Sequence, residues 1–133
     1  MMIQIDPNSG VPTYRQLIDQ IRFQAVTGML AAGSELPSTR ALSQELGLNP
    51  MTVSKAYGLL EAEGVIERRP GLPLVVRARP PEDLERERDA QLRAMLEPAA
   101  RAARQLGLSP PRAIGVFRAV LEESVNANEE DLR

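Results

Sequence analysis

At 133 residues the chain has room for one ordinary domain, or a small one with an appendage. Hydrophobic residues make up 43% and aromatics only 3%, so aliphatic helix packing must supply most of the core. With neither cysteine nor histidine, disulfides and thiolate or imidazole metal sites are excluded and the commonest general base is missing, so no metal, cofactor or catalytic site is expected.

A net charge of −2 and a pI near 5.3 argue at first against a nucleic-acid partner, but the charge is unevenly placed. Up to residue 80 there are eight Lys and Arg against seven acids, a balance of +1. Beyond it there are eight against eleven, a balance of −3, so the acidity lies mainly in the tail. The N-terminus lacks the basic-then-apolar form of a signal peptide, and no apolar run approaches the roughly 20 residues needed to cross a bilayer. A cytoplasmic chain with no membrane partner is expected.

Ile3 and Ile5 alternate with polar residues ahead of the turn cluster Asp6-Pro7-Asn8-Ser9-Gly10, which predicts a short lead-in strand or an extended arm. From Pro12 or Thr13 a helix is predicted, with Tyr14, Leu17, Ile18, Ile21 and Ala25 on one buried face and Gly28 near its end. Arg15 and Arg22 read as its solvated face rather than as DNA contacts. Ser38 can N-cap a helix over Thr39 to Leu46, which Gly47 ends in the left-handed position. Asn49 can cap the next helix and Pro50 fits its first turn. Two helices joined by so short a turn must cross at a large angle. Val53, Ala56 and Leu60, with Tyr57 and Leu59 beside them, form the apolar stripe of the second. Met51, Thr52, Ser54, Lys55 and Gly58 are left to the other side. Gly64 stops this helix, and Val65-Ile66 and Leu74-Val75-Val76 read as paired strands around Pro70-Gly71-Leu72-Pro73.

Arg77 to Pro81 reads as a proline-stiffened linker. A long helical stretch follows from Glu82, apolar at Leu84, Gln91, Leu92, Met95, Leu96, Ala99, Ala103 and Leu106, with Pro98 expected to kink or split it. After Gly107, Ser109 and Pro110 open another helix whose Ala113, Ile114, Phe117, Val120, Leu121 and Val125 form a second apolar face, and Asn126 to Arg133 is expected to fray. These two helices are too short to make a core of their own. A second copy of the chain is the simplest partner for their apolar faces, and packing back onto the N-terminal part is the rival.

The run LPSTRALSQELGLNPMTVSKAYGLLEAEGVI resembles the winged helix-turn-helix of the GntR family of bacterial transcription regulators, and its NPMTVSKAY form is most similar to the YtrA-like branch. The resemblance implies a mainly α fold with a small β-hairpin wing: a winged helix-turn-helix DNA-binding domain over residues 1–79, then a two-helix dimerisation and possible effector segment over 80–133. It implies a homodimer that binds a pseudo-palindromic double-stranded DNA operator as a transcription regulator, with repression the expected sense. The helix from Asn49 to Glu63 would enter the major groove, Arg40 would contact DNA from the start of the preceding helix, and Thr52 would meet phosphate. Ser38, Thr39, Met51, Ser54 and Lys55 are the further candidates beside them. Arg68 and Arg69, with Gly71 in the turn, are the wing candidates for phosphate or the minor groove. Relatives often carry arginine where Pro50 stands, and this wing departs from the family's pattern at Pro73 and Val75.

The expected dimer contacts are Leu84, Leu92, Met95, Leu96, Ala99, Ile114, Phe117 and Leu121. No effector is identifiable from the residues. Two helices leave little room for a pocket of a few hundred Å³, so any effector is expected at or between the dimer helices. Some family members carry an aminotransferase-like domain, but Lys55 is the only lysine and no Schiff-base site remains for that cofactor, so an enzyme is not expected. A winged helix used only for protein contacts is the alternative to a DNA-binding regulator.

Overall fold

The structure, a computed structural model, describes residues 1–131. Its elements are α1 (Thr13–Thr27), α2 (Thr39–Leu46), α3 (Pro50–Ala62), β1 (Ile66–Glu67), β2 (Val75–Val76), α4 (Pro81–Gln105) and α5 (Pro110–Asp131). The chain divides into two compact units, Met1–Asp89 and Ala90–Arg133.

The N-terminal unit holds the core. Leu17, Ile18 and Ile21 of α1 are fully buried together with Val53, Ala56, Tyr57 and Leu60 of α3, and Leu42 joins them from α2. Val65, Ile66, Leu74 and Val76 close the cluster from the hairpin. The predicted stripe of α3 is therefore its buried face, except that Leu59 is exposed.

β1 and β2 are antiparallel, with Ile66 opposite Val76 and Glu67 opposite Val75. Sequence reading did not foresee a third segment on the far edge of β2. Glu35 bridges to Val75, the Leu36 N–H donates to the Leu74 carbonyl (2.8 Å), and the Val76 N–H donates to Ser34 (2.9 Å). The segment ahead of α2 thus covers an edge that would otherwise present unpaired backbone groups.

The lead-in residues form an extended arm with no strand partner. Three glutamines one turn apart on α1 hold its backbone. Gln16 Oε1 accepts from the Asp6 N–H while its Nε2 donates to the Asp6 carbonyl, both at 2.8 Å. Gln20 repeats the arrangement on Gln4, at 2.9 and 2.6 Å, and Gln24, which is buried, donates to the Met2 carbonyl. Four residues of helix rise about 6 Å and two residues of extended chain about 6.6 Å, so the two repeats stay in step.

Three expectations need correction. Arg77 to Pro80 is not a free linker: the Arg77 N–H donates to Val65 (3.0 Å), and Arg79 is largely buried in an ion pair with Glu87 on the first turns of α4. Arg88 Nε adds a hydrogen bond to the Val26 carbonyl at the end of α1 (3.0 Å). Of the kink or split expected at Pro98, the split is not found, since α4 runs through it. Ala94, whose carbonyl loses its donor there, is exposed, so water can satisfy it. The expected fraying from Asn126 is not found either. No glycine or proline interrupts that stretch and α5 continues to Asp131; the rest of the predicted frayed end lies outside the described residues.

Tyr57 is the polar tie within this core. Its ring is 1% exposed and its hydroxyl donates to the Pro37 carbonyl at 2.8 Å, joining α3 to the residue just ahead of α2. Burial first, and the nearby Glu45 carboxylate second, push its pKa well above the ordinary value. The folded state holds that proton where the unfolded chain releases it, so the associated stability is intact below about pH 10 and falls as pH rises beyond it. Tyr57→Phe should cost about 1–3 kcal/mol in urea unfolding at neutral pH, because the Pro37 carbonyl loses its partner. It should also flatten the loss of stability seen above about pH 10.

Candidate nucleic-acid interface

Both helices of the pair begin on side-chain caps. Ser38 Oγ accepts from the Ala41 N–H (3.0 Å), and Asn49 Oδ1 accepts from the Met51 N–H (2.8 Å) with Pro50 in the first turn of α3. Between them Gly47 takes φ +65, the left-handed conformation an L side chain resists, and its N–H satisfies the Ser43 carbonyl. The chain therefore leaves α2 and starts α3 within three residues.

The face of α3 turned away from the core carries Met51, Ser54, Lys55 and Gly58, all exposed, with Thr52 half-buried at its edge. Met51 is 79% exposed, far more than a thioether helping to fill a core. On α2, Ser38 and Arg40 are exposed and Thr39 half-buried. Neither Arg40 nor Lys55 takes part in an ion pair among the described residues. Lys55 Nζ instead lies 3.8 Å from the centroid of the Tyr14 ring on α1. Sequence spacing could not have found that contact, since 41 positions separate the two residues.

On the wing, Arg68, Arg69 and Gly71 are exposed, as is Leu72 at the tip. Arg68 Nε meets the Glu61 carboxylate at 3.2 Å with both side chains in solvent, a contact weak enough to exchange for another anion. Arg22 departs from the solvated role expected of it. Its Nε (3.1 Å) and Nη2 (2.7 and 2.8 Å) donate to the Glu63 carboxylate and clamp α1 to the end of α3. Gly64, just beyond, has φ +81, and a Cβ there would come within 2.8 Å of Arg77 Nη1.

In the C-terminal unit no residue of α4 or α5 is buried. Leu92, Met95, Ala99, Ile114, Phe117 and Leu121 are exposed and Leu96 is half-buried; Leu84 is half-buried and belongs to the N-terminal unit. Between α4 and α5 lies an open groove of about 530 Å³, lined by alanines of α4 and by Ile114, Phe117 and Val120 of α5. The expectation of little room therefore fails: short alanine side chains facing larger apolar ones leave space that nothing in the unit fills. Among the described residues there is no cluster of potential metal ligands, and no helix is long and apolar enough to cross a membrane.

A capped helix pair on a three-helix core, completed by a hairpin wing, defines a winged helix-turn-helix unit, here followed by a helical region. The family described as "Bacterial regulatory proteins, gntR family" matches residues 13–76. The transcriptional repressor YtrA of Bacillus subtilis is 50% identical over 66 residues, and the match spans about half of each chain (50% of this one, 51% of YtrA). The regulator YhcF of the same organism is 32% identical over 76% of this chain and 83% of its own. Among solved structures, YtrA from Sulfolobus acidocaldarius, a GntR-family transcription factor, is 36% identical with a TM-score of 0.56, covering 71% of this chain and 99% of that one. The chain belongs to the GntR family of bacterial regulatory proteins and is YtrA-like.

The cap at Asn49 fixes where α3 begins and hence which residues its free face presents. Asn49→Ala should lower thermal stability by about 1 kcal/mol, measurable by calorimetry, while Asn49→Asp or Asn49→Ser should retain most of it.

Proposed function

We propose that this chain is a homodimeric repressor that binds a pseudo-palindromic operator, with α3 in the major groove and the wing against the backbone or minor groove. The observation that carries the reading is the free face of α3. Its exposed Met51, Ser54 and Lys55, with Thr52 at the edge, lie at the N-terminal end of the helix, where the dipole favours phosphate. Arg40, in no ion pair among the described residues, stands at the start of the neighbouring helix, and Ser38 and Thr39 flank it as phosphate donors. Arg68, Arg69 and Gly71 extend the contact from the wing.

The dimer is supported by the C-terminal unit, where apolar side chains are left in solvent to an extent monomers rarely tolerate. Leu92, Met95, Leu96, Ala99, Ile114, Phe117 and Leu121 supply the face, with Leu84 at its N-terminal end. A two-fold axis through such a pairing would bring two copies of α3 to half-sites about 10 bp, or a multiple, apart. Repression is supported by the name of the B. subtilis relative.

In vitro selection of bound sequences should enrich a palindrome with the wild-type chain. Arg40→Ala should cost about 1–3 kcal/mol and relax preference at one symmetric pair of positions. Failure of the wild type to enrich any palindrome would overturn the operator reading and favour a role in protein contacts alone. Sedimentation at micromolar concentration should give a dimer. Phe117→Asp, which places a carboxylate on the proposed interface without touching the core of the N-terminal unit, should shift the mass to that of a monomer.

A further inference from the structure

Lys55 and Arg15 come from different helices, yet both approach one aromatic ring. Lys55 Nζ lies 3.8 Å and Arg15 Cζ 5.6 Å from the Tyr14 centroid, within the range of cation–π attraction. Both cations are exposed, and neither is in any ion pair among the described residues. Two like charges gathered in this way repel each other. Each is attracted by the ring's π-electrons, and a polyanion beside them would offset their mutual repulsion. Tyr14 is half-buried and packs against the core, so its ring is anchored on the protein rather than free in solvent.

We propose that Tyr14 is a positioning residue which holds Lys55 of α3 and Arg15 of α1 together as a two-cation clamp on the DNA backbone. The clamp rests on the reading of α3 as the DNA-contacting helix and extends that contact to α1. A lysine side chain free in solvent loses substantial rotamer entropy when it binds phosphate. A Lys55 already laid over a fixed ring loses less. The contact is to phosphate, so the clamp raises affinity for all sequences alike and reads none of them.

The test uses the full chain and a fluorescent mixed-sequence DNA duplex, titrated over a series of salt concentrations. Arg15→Gln and Lys55→Gln, both on exposed positions, should each reduce the slope of log affinity against log salt by about one per protomer. Tyr14→Leu should weaken binding about two- to fivefold, and Tyr14→Phe, which keeps the ring, should bind as the wild type does. In the Tyr14→Leu background, Lys55→Gln should cost less than it costs in the wild type. Wild-type binding with unchanged slopes in Arg15→Gln and Lys55→Gln overturns the clamp but leaves the DNA-binding helix standing. Loss in Tyr14→Phe equal to that in Tyr14→Leu overturns the positioning role, with thermal melts separating it from misfolding. If the wild type fails to bind the duplex even at low salt, the clamp and the reading of α3 fall together.

Discussion

The turn from Gly47 to Pro50 is the constraint on which the N-terminal unit depends. Gly47 ends α2 in a conformation other residues resist, Asn49 ties down the first free N–H of α3, and Pro50 starts the new helix with its φ already set. With so little chain between them the helices cannot lie side by side, so α3 turns one face to α1 and leaves the other in solvent. Ala56, fully buried in the middle of α3, lets the two helices approach closely. A larger residue there would push α3 outward, and with it every side chain of the exposed face.

Several weak ties then lock that placement. Tyr57 binds α3 to Pro37, Arg22 clamps its far end through Glu63, and Ser34 to Leu36 add an edge to the hairpin that follows it. Each joins segments well separated in sequence. The glutamines of α1 do the same for the arm: they give its backbone partners that a neighbouring strand would otherwise supply. The unit is consequently determined at α3 from several directions at once, as a surface must be if a few side chains on it are to recognise a ligand.

What was legible in the sequence was local. Ser38, Gly47, Asn49 and Pro50 set helix ends through their own backbone chemistry, and the spacing of Leu17, Ile18 and Ile21 set the buried face of α1; all lie where expected. The misses needed knowledge of which distant residues meet. Gln16, Gln20 and Gln24 do stand four apart, a visible pattern, but only the match between helix rise and strand rise gives it meaning. The contact of Arg22 with Glu63, that of Lys55 with Tyr14 and the burial of Arg79 depend on how helices cross, which no short window contains. On α3, Met51, Ser54, Lys55 and Gly58 are exposed as their spacing predicts, Thr52 is only half so, and Leu59, expected in the apolar stripe, is exposed.

The near-neutral charge of the N-terminal half looks different once its ion pairs are known. Arg22 is occupied by Glu63 and Asp19, Arg79 by Glu87, and Arg68 loosely by Glu61. Arg15, Arg40, Lys55, Arg69 and Arg77 take part in no ion pair among the described residues, and two of them, Arg40 and Lys55, lie on α2 and α3. Pairing thus divides the cations into two groups. Those that hold helices together are neutralised by carboxylates, and those left over include Arg40 and Lys55 of the helix-turn-helix. On the proposed reading, a domain with few free cations releases few counterions when it meets DNA, so its sequence-independent affinity should be small. On that reading, discrimination between sites would come from short-range contacts at base edges, for which the exposed face of α3 offers a thioether and a hydroxyl, with Arg40 beside it.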